Sequence, residues 1–207
     1  MKIRVLAVAT VCVVALTGCS TQSNLGKAIV VNGNVTTTQE VNAQVDEIRT
    51  EISQLPVGVL EKVPPVVMLT RMVVDRTITT QLVDLALEKQ GITITDEEVQ
   101  AFADGIYAQY GKGKILIQIM GTNGVSSSQV DSFMRLVYAE NTLAKKLGPE
   151  MSQAGQTKAL IEYVGGLGEE VGVEVSPRYG KWDPTQLQMV LGDELLSFIE
   201  KEAQVVS

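Results

Sequence analysis

The chain contains no histidine. That absence removes the imidazole base of Ser-His-Asp and Cys-His machinery and every imidazole metal ligand. Cysteine is almost missing as well, since Cys12 and Cys19 are the only two and both stand near the N-terminus. Thiolate catalysis and cysteine-based zinc sites therefore have little to work with. Aromatics amount to 4%, with one Trp, five Tyr and three Phe, so a core has to be built from Val, Leu, Ile, Met and Ala. No phosphate-cradling glycine signature is present. Gly165-Gly166-Leu167-Gly168 lies inside a helical pattern and has no strand before it. A net charge of −7 disfavours a phosphate-backbone ligand, so no nucleic-acid partner is expected.

The first residues carry a processing pattern. Lys2 and Arg4 precede the apolar run from Val5 to Leu16, which is too short to span a bilayer comfortably. Leu16-Thr17-Gly18-Cys19 then matches a lipobox, in which the Cys thiol is alkylated by diacylglycerol before cleavage in front of it. The expectation is a lipoprotein signal peptide over 1–18, a lipid-attachment site at Cys19 and a polar tether over 19–27. Loss of Lys2 and Arg4 makes the mature chain more acidic by two charges. No thiol remains for a disulfide, although the protein would sit lipid-anchored on the extracytoplasmic face of the cell membrane. Apart from the covalent acyl lipid, no cofactor or metal is expected.

From Ala28 the pattern is that of a folded domain. Ala28 to Thr37 reads as a strand followed by a tight Asn32-Gly33 turn. Thr37 and Glu40 form a capping box, and Val41, Val45, Ile48 and Ile52 make one helical stripe. A Pro-bearing break spans Leu55 to Pro65. The spacing then predicts a helix from about Val66 to Gln90, with Val67, Val74, Ile78, Leu82 and Leu85 on its inner face and Gly91 at its end. Thr95 and Glu98 repeat the capping box ahead of Val99, Phe102, Ile106 and Tyr110, while Asp96-Glu97-Glu98 offset the helix dipole. Gly111-Lys112-Gly113-Lys114 reads as a solvated connector, and Lys114 to Met120 as a short apolar helix. Ser126 and Gln129 predict a third capping box before Val130, Phe133, Val137, Ala144 and Leu147. Leu160, Val164, Leu167 and Val171 give a final stripe, weakened by glycines.

Then comes VEVSPRYGKWDP, Val173 to Pro184. Its Val-Glu-Val alternation suits a half-buried strand, and Pro177 and Gly180 break it. Val173, Val175, Arg178, Tyr179 and Trp182 are expected to form a clasp: the strand pairs beside Ala28 to Val31, the two rings cap the aliphatic core, and Arg178 stacks on a ring or pairs with a carboxylate. Residues 184–207 read as a C-terminal tail with a short amphipathic helix around Leu187 to Ile199.

This layout resembles the peptide-binding chaperone domain of the SurA type, shared with PrsA-like foldases. The resemblance is carried by Val31-Asn32-Gly33, by GITITDEEV over Gly91 to Val99, and by VSPRYGKWD over Val175 to Asp183. The last is similar to the closing motif of certain actinobacterial lipoproteins, with Ser176 where they have Asn. It covers about residues 28–183 and implies a mainly α fold, a helical SurA/trigger-factor-like lobe with a small β pairing between its first and last segments. Relatives of full length insert a parvulin prolyl-isomerase domain before the closing strand. Too few residues separate Gly148 from Val173 to hold one, so isomerase activity is not carried over.

The resemblance implies a non-enzymatic chaperone that binds unfolded or exported polypeptides. Flexible methionines suit such a surface, which makes Met68, Met72, Met120 and Met134 the candidate peptide-binding residues, with core packing as the competing role. The alternative is a scaffold lipoprotein that holds one protein partner at the membrane through Leu187, Val190, Leu191, Leu195 and Ile199.

Overall fold

The computed structural model describes residues 26–60 and 62–190. Cys19 and most of the expected tether lie outside them, as do Leu191, Leu195 and Ile199. Two antiparallel strands open the fold, β1 (Lys27–Val31) and β2 (Asn34–Thr37). Between them Asn32 and Gly33 have φ of 50° and 79°, the pair of positive values that a tight hairpin turn requires. Thr37 caps α1 (Thr38–Gln54) reciprocally with Glu40, and Val41, Val45, Ile48 and Ile52 are all buried. After the Pro-bearing break, α2 (Val66–Lys89) runs for 24 residues. It ends in a Schellman motif: Gly91 N–H donates to Glu88 O and Ile92 N–H to Leu87 O.

Four more helices follow: α3 (Asp96–Tyr110), α4 (Lys112–Asn123), α5 (Val130–Leu147) and α6 (Gln153–Val171). The described residues end with β3 (Val173–Val175), a 3₁₀ turn over Pro177–Tyr179, β4 (Lys181–Asp183) and β5 (Gln188–Val190). β3 returns to the first strand, with Ile29 opposite Val175 and Val31 opposite Val173. The sheet order is β2-β1-β3, and β4 and β5 form a separate hairpin. The architecture is thus mainly helical with small antiparallel pairs.

The valine-rich α2 is the central element. It packs on α1, α5, α6, β1 and β5, and that contact offsets the low helix propensity of its β-branched residues. Its inner face is broader than the sequence stripe. Leu69, Val73, Val83 and Leu87 are buried beside Val74, Ile78 and Leu82, whereas Val67 is exposed and Leu85 only half-buried. Most of the core gathers around α2. A smaller apolar cluster of Ala103, Ile119, Val125, Val130 and Met134 holds α3 and α4 against the start of α5.

Several local expectations yield to the packing. Gly111, with φ of 85°, is the whole connector, and Lys112 already belongs to α4. In α3 the buried residue is Ala103, and Tyr110 at the end of the expected stripe is exposed. Ser126 and Gln129 do not form a capping box. Glu51 of α1 instead accepts from the Ser127 amide and hydroxyl, and Gln129 is drawn away as an acceptor for Arg76. The expected amphipathic helix after Pro184 opens as a strand: Trp182 lies opposite Met189, and Met189 is buried. The boundary at Asp183 therefore falls inside a hairpin.

The glycines of α6 are points of close approach. A Cβ on Gly165 would collide with the Pro184 carbonyl, and one on Gly168 would stand 3.2 Å from Leu82 Cδ1. Gly166, one residue on from Gly165, faces open space. Gly165→Ala should push the β4–β5 hairpin off α6 and cost about 1–3 kcal/mol. Gly166→Ala should stabilise by about 0.5–1 kcal/mol through helix propensity alone. Urea denaturation of the two variants checks this opposite pair of signs.

Candidate functional site

Three charged side chains of α2, Arg71 and, one turn on, the adjacent Asp75 and Arg76, organise the site. Arg71 donates to the Met189 carbonyl, and the Met189 amide donates to Asp75 Oδ1. The pair satisfies both main-chain groups of Met189 in β5, whose ladder partner among the described residues is β4 alone, and so anchors the hairpin. Arg76 points toward the neighbouring lobe. It donates to the Asn123 and Gly124 carbonyls at the end of α4, and to the side-chain oxygens of Gln44 and Gln129. A cation at a helix C-terminus complements both the dipole and the unpaired carbonyls. Burial lowers Arg76 to about 10, which leaves it charged at neutral pH.

Between these anchors lies a cleft of about 350 Å³. Met72, Asp75, Arg76 and Thr79 of α2 form one wall, Phe133, Leu136, Val137 and Glu140 of α5 the other, and Thr122 and Asn123 one end. Phe133 packs against the smaller cluster and Leu136 belongs to the main core, so the cleft follows the seam between them. Glu140 makes no hydrogen bond or ion pair among the described residues, and burial pushes its carboxyl up to about 7. Asp75 is pushed up to about 6, chiefly by burial, with the Met189 amide and Arg71 opposing the rise.

One helical turn before Met72, Met68 opens onto an apolar surface. Val57, Val59, Val63, Val66, Val67 and Met68 are all exposed, Val57 completely and Val63 at 63%. They run from the α1–α2 break into the first turn of α2. Scattered exposed apolar residues are ordinary on a protein surface, but six within one twelve-residue segment make it a candidate interaction surface. The break is also seated on the helical lobe, because a Cβ on Gly121 of α4 would meet Leu60 Cδ2 at 2.8 Å.

The four candidate methionines divide. Met68 is exposed and Met72 lines the cleft, whereas Met120 and Met134 are buried in the core and cannot touch a ligand. Of the closing segment, Val173 and Val175 sit in β3 on the first strand and Tyr179 is buried. Trp182 is half-buried against the main core. Arg178 departs from expectation: it is exposed, and among the described residues it neither pairs with a carboxylate nor stacks on a ring. The expected docking stripe of the tail loses Leu187 and Val190 to the hairpin. Sequence reasoning overlooked Glu140, which looks like any polar position on an amphipathic helix, and the apolar loop. For the loop a signal was present, since valines between prolines and glycines are unusual in a solvated connector.

A family model described as a SurA-like N-terminal domain matches residues 1–128. That span takes in the apolar run, the α2 wall and α4, and it stops short of the α5 wall. Comparison with curated proteins and with solved structures gave no match.

The two raised carboxyls make acid stabilising. Folded Glu140 holds its proton up to about pH 7, whereas its ordinary value is 4.5; the corresponding values for Asp75 are about 6 and 3.8. Between each pair of values the folded chain binds a proton that the unfolded chain releases. Their contribution is therefore fully present below the unfolded values and is lost as pH rises through the folded ones. Each group contributes a slope of at most about 1.4 kcal/mol per pH unit. Thermal melts should show the melting temperature rising as pH is lowered from 8 toward 5. Glu140→Gln should remove the part of that rise nearest neutrality and raise the melting temperature at pH 8.

Proposed function

The chain belongs to the SurA-like N-terminal domain family, a chaperone-type domain, and we propose that it is a lipid-anchored extracytoplasmic holdase. It binds unfolded or newly exported polypeptides and has no prolyl-isomerase activity. The observation that carries this reading is the exposed apolar run from Val57 to Met68 beside a cleft lined by Met72, Phe133, Leu136 and Val137. Such a surface has an unfavourable contact with water that an unfolded segment relieves by burying its own apolar side chains. Its adaptability comes from Met68 and Met72, whose unbranched thioethers repack around different sequences.

Anchoring is supported by Leu16-Thr17-Gly18-Cys19 and the preceding apolar run. An acyl chain contributes about 0.8 kcal/mol per buried CH₂, so two or three chains hold the protein firmly at the bilayer. The lack of isomerase chemistry is supported by the absence of histidine and by the single helix α6 that fills the stretch before the closing strand. Metabolic labelling with a fatty-acid analogue should mark the wild-type chain, and Cys19→Ala should abolish the label.

The purified protein should slow aggregation of a chemically denatured model client at an equimolar ratio. The double variant Val63→Ser and Met68→Ser should lose most of that protection while its melting temperature stays within about 2 °C of wild type, because surface substitutions have little effect on stability. Full protection by the variant, or none by the wild type, would overturn the reading.

A further inference from the structure

One charge in the cleft has no partner among the described residues. Asp75 is committed to the Met189 amide, and Arg76 to the end of α4. Arg135, five residues before Glu140 on α5, pairs with Asp84 at 3.6 Å. Glu140 alone has no partner among the described residues, and it stands on the same wall as Phe133, Leu136 and Val137. A channel whose α5 wall is apolar and carries a carboxylate, opposite the polar Asp75, Arg76 and Thr79, can take a long cationic side chain that lays its methylene stem along Phe133, Leu136 and Val137 and presents its charge at the tip. A bare apolar segment would leave that carboxylate dehydrated and unpaired, at a cost that a cation removes.

We propose that this cleft is a subsite for a lysine or arginine side chain of the bound polypeptide, with Glu140 as its counter-charge. The inference rests on the peptide-binding reading and narrows it: the preferred segment is apolar with an embedded basic residue, not merely apolar. The apolar run at Val57 to Met68 takes the flanking hydrophobic residues, and the cleft takes the cation. The raised protonation range of Glu140 fits a carboxylate held ready for a partner that arrives from outside. Glu140 lies beyond the residues matched by the family model, so the preference would belong to this chain and need not be shared by the family.

The test uses three fluorescein-labelled extended peptides of alternating leucine and serine, whose central residue is lysine, acetyl-lysine or glutamate. Affinities are measured by anisotropy at mildly alkaline pH, where the free carboxylate is ionised. The wild-type protein should bind the lysine peptide about tenfold more tightly than the acetyl-lysine peptide, and the glutamate peptide most weakly. Glu140→Gln should bind the lysine and acetyl-lysine peptides alike, at the wild-type affinity for the acetylated one. Equal binding of lysine and acetyl-lysine peptides by the wild type, or a preference that persists in Glu140→Gln, overturns the subsite and leaves peptide binding standing. Failure to bind any of the three overturns both. A Glu140→Gln melting temperature at or above wild type shows that the variant is folded.

Discussion

The guanidinium of Arg76 joins the two packed clusters of this domain. From α2 it reaches the carbonyls that end α4, the Gln44 side chain of α1, and Gln129 at the entrance to α5. Without it, the carbonyls that end α4 would lose their side-chain donor at the seam where the helices meet. Hydrophobic burial is non-directional and fixes only that the clusters adhere. The planar fork of an arginine also fixes the angle at which they do so. The cleft lies along this seam, so the spacing of its walls depends on Arg76 although the charge of that residue is spent elsewhere. Glu51 acts in the same sense, because its bonds to Ser127 tie α1 to the turn that launches α5.

Closure of the domain uses backbone contacts as well as the aromatic pair in the last segment. β3 completes the first sheet, and the hairpin beyond it is gripped from two sides. Arg71 and Asp75 hold Met189 by its main chain, while α6 presents Gly165 and Gly168 so that Pro184 and Trp182 come close. Read in the sequence, these glycines weaken a helix. In the fold they remove the side chains that would keep the hairpin at a distance. The loss in helix propensity is about 1 kcal/mol for each glycine, which the burial of Met189 and part of Trp182 offsets.

What the sequence made legible was what neighbouring residues determine. The capping boxes at Thr37 and Thr95, the Asn32-Gly33 turn and the α1 stripe each depend on residues within a few positions. The Ser126-Gln129 pattern is equally local, yet it does not form a box: the Gln129 amide donates to the Ser126 carbonyl, and the Gln129 side chain accepts from Arg76, 53 residues away. Leu187 to Ile199 has helical spacing, but its first residues are drawn into a strand by Arg71 and Asp75, more than a hundred positions earlier. The methionines show the limit of composition as a guide. Met68 and Met134 are chemically identical, and only the path of the backbone places one in solvent and the other in a core. The apolar loop is visible in the letters, but the prolines and Gly58 that punctuate it indicate only a break between helices.

Glu140 puts stability and recognition in opposition. A glutamine at that position would fold with less penalty, since the half-buried carboxylate is partly withdrawn from water and has no compensating partner among the described residues. The same desolvation increases the effect of an arriving cation. Part of the cost of stripping water from the carboxylate has already been met in folding, so less of it has to be met on binding. Arg76 is not the ion-pair partner of that acid among the described residues: its terminal nitrogens donate to carbonyl and amide oxygens. Asp75, the other acid in the cleft, is already hydrogen-bonded to the Met189 amide and is the weaker competitor for an incoming cation. The arrangement separates two functions that adjacent charges would otherwise confuse: Asp75 and Arg76 hold the structure, and Glu140 remains open to a ligand.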